Sequence, residues 1–463
     1  MSSNATADAT VRLAAPRRLK RRPSVLGLAW RIHWNSLAAW TDEAYREEFL
    51  TRHLLFRRVF VANSPEAARH VLLDRADNYV KSRIARRLLE PLGQGLLTSE
   101  GALWRRQRHT FAPAFHPKRI EAFTPAMVQA AADMLSGWDA LPAGSVVDAA
   151  EAMAGLTLDI ITRTMFSSDI RDRAAEVRAS MVEYQRVGGR PSLADLLGLP
   201  GWIPRVRARR ERNATAALDD IIFDIVERRR REGGPADDLL GLLLVAHDEE
   251  SGEGMSDAQL RDEIATIFTA GHETTANALT WTWYLLALHP QAEARLDAEL
   301  GAVLGGRLPE NADLPRLRYT RMVLEESMRL YPPAHTLSRE AIADDEIIGR
   351  RIPAGSAVLV SPWLLHRHEK LWERPEVFDP ERFAPERAAA RPRYAYLPFG
   401  GGPRICIGAG FAMQEATLIL ATVAQRYRLR LAPGRRVEPM GLITLRPRGG
   451  LPMTLERRDA SGR

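Results

Sequence analysis

The chain has a single cysteine, Cys406, which lies in the glycine-rich stretch FGGGPRICIG at residues 399–408. A helix-like run, FAMQEATLILATVAQRY, follows directly. Glycine lets a backbone approach a flat ligand closely. The free amides and the positive dipole at a helix start favour a thiolate over a thiol, and a thiolate can ligate a metal. The alternative for a lone cysteine is a small buried hydrophobe.

A second unusual stretch, AGHETT at residues 270–275, interrupts a long helical pattern. The pattern begins at a capping box formed by Ser256 and Gln259 and stops at Pro290. A helix of about 33 residues spans about 50 Å. Glycine and threonine are poor helix formers. Residues in mid-helix that disfavour the helix indicate a functional site. The alternative is that a close neighbour demands the glycine and that the threonines bond back to the backbone.

Other catalytic classes lack support in the sequence. HETTA begins like the zinc motif H-E-x-x-H but ends in alanine, and neither a P-loop nor G-x-S-x-G occurs. The net charge is +7, and basic runs occur at residues 17–22 and 227–232. No nucleic-acid motif accompanies these runs, so we interpret them as a solvated tail and helix face. Without a long apolar segment or a signal peptide, the sequence predicts a cytoplasmic protein that has no transmembrane anchor.

The elements that must position these residues are mainly helical. Long helical patterns dominate from about residue 120 to 340, and short alternating runs typical of strands occur near residues 56–62, 352–361 and 427–457. The pattern predicts a mainly α fold with small β-sheets. We expect one large domain over residues 24–457, with a disordered basic tail at residues 1–23 and a flexible C-terminus at residues 458–463.

With these elements in place, the sequence resembles the cytochrome P-450 family of haem-thiolate monooxygenases. Five motifs carry the resemblance and follow in the family's order from about residue 55 to 457. They are W-x-x-x-R at Trp104 and Arg108, the AGHETT stretch, E-x-x-R at Glu326 and Arg329 followed by LYPP, DPERF at residues 379–383, and the cysteine loop with Phe399, Gly402, Arg404, Cys406 and Gly408.

The resemblance implies a haem b cofactor with Cys406 as the axial thiolate. It assigns the haem propionates to arginines, whose guanidinium groups donate in a fixed fork. It also implies a buried structural triad and a proton-handling acid–alcohol pair. The expected residues are Trp104, Arg108, Gly271, Arg339, Phe399, Gly402, Arg404 and Gly408 for the cofactor, with Gly271 leaving room for dioxygen, Glu326, Arg329 and Arg382 for the triad, and Glu273 and Thr274 for proton transfer.

The same resemblance implies insertion of one oxygen atom of O2 into a C–H or C=C bond of a hydrophobic molecule such as a terpenoid, fatty acid, steroid or polyketide. The expected pocket residues are Phe268, Ala270, His335, Thr336, Leu337, Leu442 and Ile443. Electrons are expected from NAD(P)H, indirectly, through a ferredoxin or flavodoxin and its reductase. We expect the protein to be a monomer.

Basic residues such as Arg391, Arg393 or the Arg209–Arg210 region are expected to steer the acidic redox protein. Two other readings remain open at this point. A peroxygenase or isomerase of the same fold usually lacks the acid–alcohol pair. A haem sensor or electron carrier needs neither a proton relay nor a large pocket.

Overall fold

Helices dominate the chain, which a computed structural model describes over residues 11–54, 57–166, 176, 179–180, 190–197, 208–233, 238–246 and 254–458. In these ranges the α-helices are α1 (Val25–Trp34), α2 (Pro65–Arg69), α3 (Arg83–Leu89), α4 (Gly101–Phe111), α5 (Pro117–Ala122), α6 (Thr124–Asp139), α7 (Ala149–Met165), α8 (Leu193–Leu196), α9 (Ala208–Glu232), α10 (Leu239–Val245), α11 (Asp257–Leu288), α12 (Pro290–Leu304), α13 (Arg318–Leu330), α14 (Pro362–Leu365), α15 (Pro385–Ala389) and α16 (Ala409–Ala424).

The strands form small, separate sheets. They are β1 (Phe49–Leu54), β2 (Arg57–Ala62), β3 (Tyr79–Lys81), β4 (Val146–Asp148), β5 (Leu337–Ala341), β6 (Asp345–Ile347), β7 (Arg350–Ile352), β8 (Ala357–Val360), β9 (Tyr427–Leu431), β10 (Pro439–Gly441), β11 (Leu445–Pro447) and β12 (Pro452–Arg457). The largest sheet has the order β1-β2-β8-β5-β3, in which β2 and β8 run parallel and pair Val59 with Ala357. The mainly α fold with small β-sheets is confirmed.

Helix α11 passes through the centre of the helical core. The Ser256 hydroxyl accepts a hydrogen bond from the Gln259 amide at 3.2 Å, so the helix starts at the predicted cap. It runs for 32 residues and ends just before Pro290, close to the predicted length. Most of its residues from Leu260 to Leu286 are buried, and the helix packs against α7, α9, α13 and α16. This tertiary packing compensates for the poor helix formers in its sequence.

The segment before α1 is ordered where the structure describes it. The Ala14 amide donates to the Tyr284 hydroxyl at 2.9 Å, and the Tyr331 hydroxyl donates to the Ala14 carbonyl at 2.9 Å. The predicted disordered tail over residues 1–23 therefore does not hold for residues 11–23. No local pattern indicates that these two buried tyrosines have their hydrogen-bonding partner in this segment.

At the other end of the chain, the Arg458 amide donates to the Arg426 carbonyl at 2.9 Å, which attaches the last described residue to the fold. The residues after it, and the first ten of the chain, lie outside the described part. None of the helices described here has both the length and the apolar character needed to cross a bilayer.

Candidate functional site

The cysteine loop is shaped by its glycines and lies immediately before α16. The Cys406 amide donates to the Phe399 carbonyl at 3.0 Å, which closes the loop. Gly402 has φ 66°, and a Cβ there would lie 1.7 Å from the Leu72 carbonyl oxygen. Only glycine fits this backbone contact. Gly408 is the N-cap of α16, so the loop delivers Cys406 to the helix start, as the sequence predicts.

The Cys406 side chain is accessible, yet burial is the main cause that raises the pKa of its thiol. The thiol therefore keeps an open side although protein surrounds much of it. Two effects oppose the burial: the Gly408 amide donates to the sulfur, and the positive charge of Arg108 is nearby. Arg108 is fixed there because its guanidinium donates to the Ile405 carbonyl at 2.9 Å.

Two of the predicted propionate ligands lie close to each other. The Arg404 guanidinium carbon lies 4.2 Å from the Trp104 ring centroid, and Arg404 also donates to the Ser99 carbonyl at 2.8 Å. Its other partner is the Glu100 carboxylate. Arg339 lies on β5, where burial and repulsion from Arg404 lower the pKa of its guanidinium. The structure thus brings two cations together.

Lys81 joins this cluster, and sequence reasoning missed it. Its place on β3 pairs it with Arg339 across the sheet, and its Nζ lies 3.4 Å from the Glu100 carboxylate. Burial first, and then repulsion from Arg404 and Arg339, lower the pKa of Lys81 to about 8. Three cations around one carboxylate favour binding of a further anion. The two carboxylates of a haem supply that charge, so the donor set fits the cofactor. Strand register, which brings Lys81 here, has no local sequence signal.

The predicted triad forms in the core. Arg329 donates from two nitrogens to the Glu326 carboxylate at 2.6 and 2.8 Å, and both side chains are 0% exposed. Its remaining nitrogen donates to the carbonyls of His366 and Pro375, each at 2.8 Å. Arg382 lies 3.4 Å from the same carboxylate. Two cations therefore share one buried carboxylate, and Arg329 additionally ties α13 to the segment that follows α14.

The acid–alcohol pair on α11 is held in two different ways. The Thr274 hydroxyl donates to the Ala270 carbonyl at 2.9 Å, one turn earlier. The Glu273 carboxylate accepts a hydrogen bond from the Thr444 hydroxyl at 2.5 Å, which links it to the loop between β10 and β11. Both Glu273 and Thr274 remain partly accessible. The backbone bond of Thr274 is the one expected under the alternative interpretation of AGHETT, but accessibility also leaves its lone pairs free to accept a hydrogen bond.

Two predicted residues of α11 contact α7. A Cβ on Gly271 would lie 2.4 Å from Cδ1 of Ile161, so the glycine admits a neighbouring helix, and its role of leaving room for dioxygen stays a prediction. Phe268 is fully buried and stacks on Phe166 with ring centroids 4.7 Å apart. The assignment of Phe268 to the pocket wall is therefore wrong. Helical spacing gives the face of a residue, but the sequence does not show which face meets α7.

His335 is also not a pocket residue. It is buried, one ring nitrogen bonds the Leu442 carbonyl at 2.9 Å, and the other bonds the Thr336 hydroxyl at 3.0 Å. Burial lowers the pKa of its imidazole, so the ring is neutral and holds two loops together. The other expected pocket residues all keep accessible surface, namely Ala270, Thr336, Leu337, Leu442 and Ile443.

A buried carboxyl group connects α16 to α11. Glu415 is 0% exposed, and neither of its oxygens has a hydrogen-bond partner within 3.5 Å among the described residues. Burial raises the pKa of this carboxyl well above its usual value, and the nearby Thr275 hydroxyl acts in the opposite direction. Burial therefore favours the protonated, neutral form of Glu415. Glu415 carries no sequence signal, because its position within the α16 pattern is ordinary.

Comparison with known proteins identifies the family. The family described as Cytochrome P450 matches residues 16–449. The chain belongs to the cytochrome P450 family. It is 39% identical over 390 residues to cyclooctatin synthase of Streptomyces melanosporofaciens, a match that covers 84% of each chain. It is 32% identical over 424 residues to pentalenene oxygenase of Streptomyces avermitilis, covering 91% of this chain and 93% of that one. This P450 is a haem-thiolate monooxygenase that uses O2 and acts on a hydrophobic small molecule.

Proposed function

We propose that this P450 inserts oxygen into a C–H or C=C bond of a cyclic terpenoid. The observation that carries the proposal is the accessible but desolvated Cys406 thiol beside a cluster of buried cations. The substrate class is supported by the relatives, which include a pentalenene oxygenase and, at 37% identity over 401 residues, a cyclooctat-9-en-7-ol 5-monooxygenase. Both names denote unsaturated ring compounds with little oxygen, and the accessible pocket residues are mostly apolar.

The residues that would hold the cofactor follow from the geometry. Cys406 would ligate the iron, and Arg339, Arg404 and Lys81 would neutralise the propionates. Arg108 lies near the thiol and favours its ionised form. When bound, haem supplies the iron chemistry that activates dioxygen.

Proton delivery is the part of the reaction that the protein itself performs. Glu273 can collect a proton from solvent, because its carboxylate is partly accessible and is oriented by Thr444. The Thr274 hydroxyl donates to Ala270 while its oxygen stays free to accept, so it can accept a hydrogen bond from a proton-carrying water and hold that water in position. The geometry therefore supports an oxygenase with a proton relay over a sensor or electron carrier.

Electrons would come from NAD(P)H through a ferredoxin or flavodoxin and its reductase. Of the basic residues expected to dock that partner, Arg391 lies 4.5 Å from the Trp372 ring centroid and is committed to packing. Arg393 is exposed and stays available. The side chains of Arg209 and Arg210 lie outside the described residues.

The test compares Thr274→Ala with a matched control on the same helix. Thr280 makes the same kind of backbone bond, to the Ala276 carbonyl at 2.7 Å, but it is buried. We expect Thr274→Ala to lower product formed per NAD(P)H consumed by tenfold or more, which is less than the roughly 10²–10⁴-fold that a positioned acid–base group contributes to a rate. Thr280→Ala should leave that ratio unchanged. Equal coupling in both variants would refute the relay.

A spectroscopic test examines the iron ligand without turnover. The reduced carbon monoxide complex of the wild type should show the red-shifted Soret band of a thiolate ligand, and Cys406→Ser should lose it. A folded, haem-loaded wild type that lacks this band would overturn the assignment of Cys406.

A further inference from the structure

Helix α1 carries an apolar stripe that faces outward. Leu26, Trp30 and Trp34 are 68%, 56% and 39% exposed. They are spaced four residues apart, so they lie along one face of the helix. The opposite face, with Leu28 and Ala29, is buried against the body of the protein. Both faces of α1 are therefore apolar, and on the outward face the Arg190 guanidinium carbon lies 4.4 Å from the Trp34 ring centroid.

Basic residues surround this stripe. Arg17, Lys20 and Arg21 precede α1, and Arg31 lies within it; all four are exposed. None of the four forms an ion pair with a described residue, unlike Arg22, which pairs with Glu43 at 3.0 Å. The fold therefore does not use these positive charges.

We propose that α1 and the cations Arg17, Lys20, Arg21 and Arg31 form a docking surface for an anionic lipid bilayer. Tryptophan prefers the boundary between headgroups and acyl chains, and a short helix with apolar and basic side chains lies flat in that boundary. At about 15 Å, α1 is too short to span a bilayer. A small acidic protein would match the charges but would leave the three apolar side chains of the stripe without a natural partner.

The position of α1 would place a docked bilayer next to the expected substrate pocket. Asn35, directly after α1, accepts from the Gly441 amide at 2.9 Å and donates to the Pro439 carbonyl at 2.9 Å. Gly441 precedes Leu442 and Ile443, which keep accessible surface in the expected pocket. The bilayer surface would thus lie beside the pocket wall, where a membrane-dissolved hydrophobic substrate is concentrated. This use rests on the proposed function, whereas lipid binding itself does not.

The experiment is flotation of the haem-loaded protein with vesicles of phosphatidylglycerol and phosphatidylcholine, or of phosphatidylcholine alone. We expect binding to the anionic vesicles that falls steeply with salt. Replacing Leu26, Trp30 and Trp34 by serine should weaken it at least tenfold. The matched control replaces three residues exposed elsewhere by serine, namely Val245, Leu308 and Ile342 at 57%, 45% and 57% exposure, and should bind like the wild type.

A variant that removes positive charges from the protein tests how much of the vesicle binding depends on lipid charge and how much on apolar contact. Arg17→Gln, Lys20→Gln and Arg21→Gln together should weaken binding about a hundredfold at low salt, because each cation near an anionic surface contributes about fivefold. Equal binding to both kinds of vesicle, no binding, or a stripe-dependent dimer seen by light scattering would overturn the proposal. An unchanged carbon monoxide spectrum confirms that each variant is folded. Turnover is not measured, so failure of the proposed substrate class leaves this result unaffected.

Discussion

Replacing Glu326 by glutamine should remove several kcal/mol of folding stability and prevent haem retention. The Glu326 carboxylate accepts two bonds from Arg329 at 2.6 and 2.8 Å and one from the Asp379 amide at 2.9 Å, and Arg382 lies 3.4 Å away. An amide keeps one acceptor but loses the charge, which leaves two buried guanidinium groups without an anion. Removing one partner of a buried ion pair costs about 3–5 kcal/mol. That is a large share of the roughly 5–15 kcal/mol that stabilises a typical domain.

Urea unfolding of the haem-free protein, followed by circular dichroism, measures this loss directly. The matched control is Arg321→Gln on the same helix, because Arg321 pairs with Glu325 at 3.2 Å but is 63% exposed. Such a surface pair contributes about 0.3–0.5 kcal/mol. If Glu326→Gln costs no more than Arg321→Gln, the triad does not stabilise the core and the reasoning is refuted. Haem content by absorbance should fall in parallel for Glu326→Gln alone.

Three further predictions concern Glu415, Lys81 and Gly402. The stability of Glu415→Gln relative to the wild type should increase as pH rises above about 4.5. The Glu415 carboxyl has a higher pKa in the folded than in the unfolded protein, so the wild type loses stability as pH rises from about 4.5 upward. A pH-independent difference in urea midpoint would contradict this. Lys81→Met should speed haem transfer to a scavenging apo-globin without lowering apoprotein stability, since burial lowers the pKa of Lys81 to about 8; unchanged transfer excludes its role. Gly402→Ala should abolish haem incorporation by displacing Leu72, whereas Gly434→Ala, with φ 73° and open space, should not; similar haem content in both would refute the close-contact argument.

Local patterns were sufficient to predict several features. The capping box and Pro290 bounded α11 to within about a residue, since caps and helix breakers act locally. The i, i+3 spacing placed Glu326 and Arg329 on one face, and the structure shows them bonded. The motifs also placed Cys406 at a helix start.

The features that the sequence did not predict are contacts between segments that are far apart in the chain. Gly271 and Phe268 lie on the helix that was predicted, but the sequence does not reveal that this face meets α7. Lys81 reaches Arg404 only through the pairing of β3 with β5, and such registers have no local signal. Burial of Glu415 likewise depends on how α16 packs against α11.

The parallel pairing of β2 with β8 has a consequence for synthesis of the chain. Val59 cannot pair with Ala357 until the ribosome has added Ala357, which happens much later in synthesis. At ~5–20 residues per second the delay is roughly 15–60 s. During that time β2 has only β1 as a partner and an edge open to aggregation. We therefore expect ribosome-bound chains stalled before β8 to be cleaved by protease near β2, and chains stalled after β8 has emerged to resist; equal resistance of the two would contradict this order of assembly.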